Sequence, residues 1–403
     1  MGSNDPGYMA VFNGISFFAG VKPFETRARS KIYFAYKFPN KMYWLISSAI
    51  YESDLMSVKA SSIFEEFNSS GILDEMIGCD AEISRISPPE ECSPGDMVFV
   101  NSAEYLSYVK KNRPSVVVLT KKLFDGFAER DEFTVFLAEN VPLAHALLKK
   151  RFMSRDHFSD GQRSIHPTAV IHESVELPAS VRIAPGVIIE KNVRIGDRCV
   201  ILAGSVIEEN STIGEGTVIH PNVTIGHATE IGKECVIKSG SVIGSEGFGF
   251  AQDSTGRNYP IPQTGRVVLE ERVTVGANCC IDRATYKETR IGAGTILDNL
   301  CHIAHNVIVG RDCILTAGFI VAGSTKIGDR VIASGQTGIL DHLKIASDVV
   351  LLHRAGVTSD IPKKGYYAGL PLQPLDQYLK NSAIFQRLTE MRRTIQQLKK
   401  TES

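Results

Sequence analysis

The densest cluster of chemistry-bearing residues in this chain is Asp298-Asn-Leu-Cys-His-Ile-Ala-His305-Asn306. Its imidazoles, carboxylate and carboxamides can move protons and hydrogen-bond a substrate, and Cys301 has no partner there that would activate it as a nucleophile. Ile303 holds the aliphatic position of a six-residue repeat, so His302 and His305 both project away from the core. An outward histidine on such a scaffold serves as well for surface decoration as for catalysis. Asp298, about one repeat earlier, could orient and charge-stabilise an imidazole. Gly323 follows His305 by 18 residues, one full coil if three repeats make a turn, which puts its N–H about one strand spacing above the ring. A base beside a free backbone donor suits acyl transfer, where the donor stabilises a tetrahedral oxyanion.

Other candidates carry weaker signals. His342 lies two coils and one residue beyond His305 and either faces the same groove or is a solvated surface side chain. His220 and His227 read as decoration. His302 and His305 form an H-x-x-H pair, but two ligands do not complete a site, and no metal is expected. Phe99 and Tyr105 flank Asn101 and Ser102 after a predicted strand, where they either stack on a planar base or, more commonly, pack in a core.

The element that must position the cluster is written in a strict period of six. Ile or Leu recurs at every sixth position from Ile165 to Ile243, is lost around Gly249, returns at Val267 and Val273, and continues through Ile291 to Leu351. This period fits neither a helix nor a single pleated strand; it fits a hexapeptide β-solenoid. Gly196, Gly214, Gly226, Gly232 and Gly244 follow aliphatics where the chain must bend. Three hexads make a triangular coil with its aliphatics on the axis, and coils stack at ~4.8 Å. One large excursion, Ser245 to Arg266, leaves the repeat, and a loop ejected from a regular scaffold is usually functional.

Around the solenoid the chain divides into four regions. Residues 1–55 have no clear period and read as a leader or extension; 56–155 form a small α/β domain; 156–365 hold the solenoid; 366–403 form a helical region. The small domain is predicted to contain a helix near Ile63–Phe67, strands at Asp96–Asn101 and Ser115–Leu119, and a helix from Val141 to Phe152, followed by the polar linker Ser154–Ser164. After Gly369-Leu-Pro-Leu-Gln-Pro374, a final helix repeats Ile384, Leu388, Met391, Ile395 and Leu398 at 4-3 spacing, a short self-association seam. The expected fold is therefore mainly β: a β-helix with a small N-terminal α/β domain and a C-terminal α-helical extension.

Composition narrows the function classes. A hydrophobic content of 43% is ordinary for a globular chain, and a formal net charge of −1 argues against nucleic-acid binding by bulk phosphate neutralisation. The longest N-terminal apolar stretch, Met42 to Ile50, is far short of the ~20 residues that span a bilayer. Eight cysteines contain no C-x-x-C pair and read as reduced packing residues of a cytoplasmic protein.

Gly247-Phe-Gly-Phe-Ala251, Ile261-Pro-Gln263, Gly265-Arg-Val267, Ile281-Asp-Arg283, Asp298-Asn299, Ile303-Ala-His-Asn306 and Gly369-Leu-Pro-Leu-Gln-Pro374 together resemble the UDP-3-O-acylglucosamine N-acyltransferases of lipid A biosynthesis, over about residues 57–400. The resemblance implies a homotrimer of left-handed parallel β-helices with active sites between subunits and a uridine-binding N-terminal domain. It implies transfer of a (3R)-3-hydroxyacyl chain from the phosphopantetheine of acyl carrier protein to the 2-amino group of UDP-3-O-acyl-glucosamine, with no resident cofactor. Carried over, His305 is the general base, Asp298 its partner and Gly323 the oxyanion donor; Asn299, His302 and His342 are ligand-contacting positions, and Phe99 and Tyr105 the uracil-stacking pair. Relatives often carry Asn at the position of Ser102, with Asn101 one place off, and Gln at that of His302. Some carry a bulky residue, which limits acyl length, at that of Gly356. The basic residues Lys380, Arg387, Arg392, Arg393, Lys399 and Lys400 either dock an acidic carrier or form a solvated face. The alternatives are a sibling acyl- or acetyltransferase acting on a UDP-sugar, a zinc-dependent hydratase on the same scaffold, and a purely structural solenoid.

Overall fold

The computed structural model describes residues 57–127, 132–153, 165–369 and 372–401, side chains to Leu398, and within 1–56 only the backbone of short strands such as the antiparallel pair Lys31–Phe38 and Lys41–Ile46. The expected linker Ser154–Ser164, most of the leader, Leu370, Pro371 and the side chains of Lys399 and Lys400 lie outside the described residues. The chain divides into two compact units, Met1–Arg155 and Asp156–Ser403.

In the first unit, strands Thr134–Leu137, Val116–Leu119, Asp96–Val100 and Arg85–Ile86 run parallel in that spatial order, with Glu75–Ile77 antiparallel on the outer side of Thr134–Leu137. Both central faces are apolar because alternate residues go to opposite sides. Val116 and Val118 pack with Ile63, Ala144 and Leu148, whereas Val117 and Leu119 pack with Val109 and Phe124. Helices Ala60–Asn68 and Val141–Met153 thus cover one face, and Leu106–Asn112 and Lys121–Asp125 the other. Both-sided cover is what continuous Val/Leu runs demand of a parallel sheet.

The second unit is the solenoid, a left-handed parallel β-helix. Its strands, mostly two residues long, join three parallel sheets of 10, 11 and 8 strands, the 11-stranded one closed by an antiparallel end strand. The second residue of each strand points to the axis, so that Ile201 pairs with Ile219 and Ile303 with Val321, and one apolar cluster runs from Val181 to Ile361. Most core hydroxyls are bonded to the next coil: Ser205 Oγ donates to His220 O (2.9 Å), Thr217 Oγ1 to Gly232 O (2.9 Å) and Thr325 Oγ1 to Leu340 O (2.7 Å), whereas buried Thr229 Oγ1 has no partner among the described residues. Many corners need a left-handed residue, and Asn fills them at Asn210 (φ 62°), Asn222 (59°) and Asn306 (61°).

The excursion leaves the strand Val242–Ser245, forms a hairpin of Phe250–Gln252 and Asn258–Pro260, and re-enters at Arg266–Leu269. Its turn is organised by Asp253 Oδ1, which accepts from Thr255 N (2.9 Å) and Thr255 Oγ1 (2.7 Å), while Tyr259 Oη donates to Oδ2 (2.9 Å). Those donors hold the Asp253 carboxyl down at about 2. Phe248, Phe250 and Tyr259 remain exposed on the hairpin.

The single final helix read from the sequence is two, Leu375–Phe385 and Leu388–Thr401, separated at Gln386–Arg387, where no proline or glycine marks the break. Ile384 therefore sits on the first helix and Leu388, Met391, Ile395 and Leu398 on the second, all exposed.

Candidate active site

His305 and Asn306 turn the corner between strands His302–Ile303 and Ile308–Val309. The coil above places Gly323 and Ser324 at the same corner, and the next Asp341 and His342: Ser324 N donates to His305 O (3.0 Å) and His342 N to Gly323 O (3.0 Å). A Cβ added to Gly323 would lie 2.7 Å from both Cε1 and Nε2 of His305, so the ring lies directly against this glycine. Among the described residues, the Gly323 N–H has no hydrogen-bond acceptor.

Asn306 fixes the tautomer of the ring. Its Nδ2 donates to Tyr286 O (3.0 Å) and its Oδ1 accepts from Thr285 N (3.0 Å), which settles the carboxamide's orientation. The same Oδ1 lies 3.0 Å from His305 Nδ1 and can only accept, so Nδ1 carries a proton and, in the neutral ring, the lone pair is on Nε2. That lone pair is on the edge of the ring next to Gly323. The excursion closes the other flank: a Cβ on Gly247 would meet His305 Cβ at 2.6 Å. Buried Gln263 braces this contact by donating to Ile261 O (2.7 Å) and accepting from Thr285 Oγ1 (2.7 Å).

Within the chain, the carboxylate that faces these imidazoles is Asp282, and Asp298 is bonded elsewhere. Asp298 accepts from Asn299 N (2.7 Å) and Ala317 N (3.2 Å). Seven positions before His305 is more than one side of the triangle, so Asp298 and Asn299 fall at the preceding corner. Asn299 Oδ1 there accepts from Ala277 N (2.7 Å). Asp282 is buried; its Oδ1 accepts from Ser245 Oγ (2.7 Å) and its Oδ2 lies 3.7 Å from His302 Nε2. Burial raises its carboxyl above the ordinary value, although Ser245 and the two imidazoles pull the other way. His342 is exposed and pairs with Asp341 (Nδ1 to Oδ2, 2.9 Å). The structure thus brings together His305, Gly323 and His342 at one corner, with His302 on the adjoining strand.

Counting by 18 hides Asp282. The pairing Ile281–Ile303 spans 22 residues, so stepping back 18 from His302 lands on Ala284. The extra length includes the Thr285–Lys287 segment, which supplies both backbone partners of the Asn306 carboxamide. His227, read as decoration, is instead bonded to the buried Arg283, whose Nη2 donates to His227 O (2.9 Å). Cys301 is buried, and the Cys279 sulfur beside it, together with burial, pushes its thiol up, which suits packing and not nucleophilic attack. Of the eight cysteines, all free, only Cys79 and Cys280 are exposed. Among the described residues no group of three or more His, Cys, Asp or Glu is arranged to hold a metal ion.

In the first unit, Phe99, Asn101, Tyr105, His145 and Lys149 line a cavity of about 430 Å³ under the Pro88–Pro89 turn. Asn101, and not Ser102, is the polar residue of the 99–105 stretch that lines it. Phe99 stacks on His145 with ring centroids 4.4 Å apart at 25°. Sequence reading missed His145 because it belongs to a helix 40 residues further on.

Residues 159–246 match the family model described as the GMPPB C-terminal domain. The UDP-3-O-acylglucosamine N-acyltransferase of Methylococcus capsulatus is 49% identical over 345 residues, covering 86% of this chain and 98% of the relative. That of Coxiella burnetii is 33% identical over 322 residues, covering 80% and 92%. A solved Arabidopsis UDP-N-acetylglucosamine acyltransferase aligns over 52% of this chain and 73% of its own at 24% identity, with a TM-score of 0.47. Identity of this order over nearly the whole length of the Methylococcus relative places the chain in the UDP-3-O-acylglucosamine N-acyltransferase family of acyltransferases.

Proposed function

We propose that this chain transfers a (3R)-3-hydroxyacyl group from the phosphopantetheine thioester of acyl carrier protein to the 2-amino group of UDP-3-O-acyl-glucosamine. The observation that carries this reading is the bare Nε2 of His305 beside the unengaged N–H of Gly323. The amine attacks the thioester carbonyl as Nε2 takes its proton; the oxyanion that forms is stabilised by the Gly323 N–H. Collapse breaks the C–S bond, forms the amide and releases the pantetheine thiolate, which recovers the proton from His305. No covalent enzyme intermediate and no resident cofactor is required. His302 and His342 contact ligands around this corner and Asn299 from the preceding one, and the Phe99–Tyr105 cavity takes the uridine.

A homotrimer fits the outer surface. The outward column Ile296, Ile314, Ile332 is 47%, 43% and 39% exposed on consecutive coils, an apolar strip suited to a second copy of the chain. The exposed seam from Ile384 to Leu398 suits the same assembly, and Lys380, Arg387, Arg392 and Arg393 suit an acidic carrier. Work in the cytoplasm fits the eight free thiols, and among the described residues no helix is long and apolar enough to cross a membrane.

The test is incubation with UDP-3-O-acyl-glucosamine and a panel of hydroxyacyl carriers, read by product mass. Addition of one hydroxyacyl group at nitrogen is expected, with His305→Ala slower by ~10²–10⁴-fold. O-acylation, or His305→Ala at wild-type speed, refutes the assignment.

A further inference from the structure

We infer that Arg283 is a positioning residue that clamps both ends of the excursion to one coil and so keeps Gly247 pressed against His305. Among the described residues, Arg283 is the largest fully buried side chain, 1% exposed. Its Nε donates to Gly244 O (2.9 Å), where the excursion departs, and its Nη1 lies 3.5 Å from Gly265 O, where it returns. The backbone repeats the clamp: Arg283 N donates to Ser245 O (2.8 Å) and Gly265 N to Ala284 O (2.8 Å). The guanidinium is held from the coil below by His227, through its carbonyl and its Nε2. A guanidinium keeps its protons, so His227 Nε2 accepts, and the ring's Nδ1 faces Glu208 Oε2 at 3.7 Å. Glu208 Oε2 also accepts from His227 N (2.8 Å), which fixes the far end of the chain Glu208–His227–Arg283.

Two features make this a device and not ordinary packing. A cation buried without a hydrogen-bonded carboxylate is costly, and every acceptor of this one is a backbone carbonyl or an imidazole. What the burial gains is the geometry of those acceptors, and two of them are the ends of one loop. The neighbouring residue, Asp282, receives Ser245 Oγ from the same loop exit and faces His302. One short strand, Cys280–Asp282, followed by Arg283, therefore ties the loop to the imidazoles. No lysine can reproduce this: its single ammonium cannot reach both ends and His227 in the plane of a fork.

The proposal rests on the acyltransfer reading for its kinetic readout, but amide hydrogen exchange tests it without substrate. In full-length Arg283→Ala, exchange of amides 246–264 is expected to rise at least tenfold while coils 181–225 and 320–357 keep wild-type rates. The acyltransfer kcat is expected to fall ~10²-fold, as for a catalytic group misplaced by an ångström, with little change in acceptor KM. Millimolar guanidinium, refilling the cavity, is expected to restore both. Should Arg283→Ala fail to fold, Arg283→Lys carries the same readouts without rescue. Exchange that rises equally in loop and coils, or does not rise in the loop, overturns the proposal. Loss of wild-type activity on the UDP-sugar would instead overturn only the acyltransfer reading.

Discussion

Consider Gly323→Ala. The glycine's φ lies outside the left-handed region, so alanine meets no backbone strain there, and its N–H is retained. The added methyl carbon would stand 2.7 Å from Cε1 and Nε2 of His305, whereas ordinary contact begins near 3.4 Å, so the ring has to move about 0.7 Å. Retreat is blocked by Gly247 on the other flank, and rotation costs the 3.0 Å bond from Nδ1 to Asn306. The methyl also screens the lone pair of Nε2 from an incoming amine. A misplacement approaching 1 Å in a near-attack geometry costs up to ~10²-fold, so kcat is expected to fall ~10- to 100-fold, about 1.4–2.7 kcal/mol of barrier. Thermal stability should change little, because the corner is outside the aliphatic column. The assay is steady-state transfer to the UDP-sugar amine, with Tm measured on the same preparations. A variant with wild-type kcat would refute the claim that the ring is wedged between two glycines.

Three further outcomes are expected. Asp282→Asn keeps the Ser245 bond but removes a carboxylate whose native pKa burial raises. A raised carboxyl pKa contributes stability at low pH that is lost as pH rises through the native value, so the Tm of Asp282→Asn relative to wild type should improve from pH 4 to pH 7, and the opposite slope would show that His302 and Ser245 outweigh burial. Phe99→Ala should raise KM for the UDP-sugar by about tenfold, with kcat nearly unchanged, in the range of a lost base–aromatic stack; an unchanged KM would leave the cavity without its nucleotide. Ile303→Ala deletes a fully buried axial side chain and should cost about 2–5 kcal/mol in denaturant unfolding; a smaller loss would mean that the column relaxes around the gap.

The solenoid was legible because one physical demand, an aliphatic on the axis at each side, recurs many times on both sides of a single large excursion. Gly323 above His305 followed from the same count. Asp282 escaped it because the Thr285–Lys287 segment lengthens one coil, and within the chain Asp298 lies a corner away from His305, a separation that closeness in sequence does not reveal. Asn306, adjacent to His305, was visible as a residue, but its role emerged only from three hydrogen bonds that no spacing encodes. The seam from Ile384 to Leu398 has the spacing of one helix, and the break at Gln386–Arg387 leaves no mark in residue type.

Nearly every rung of the solenoid advances 18 residues, yet Ile243 pairs with Ile281 across 38 and Ile281 with Ile303 across 22. A register shift between Ile243 and Ser245 marks the first surplus, and the 18-residue step holds below and above both, as Ile225 with Ile243 and Ile303 with Val321 show. Repetitive scaffolds can therefore grow at a vertex as a spiral staircase gains a landing: the steps stay level, and the new floor space is where a catalytic imidazole acquires walls.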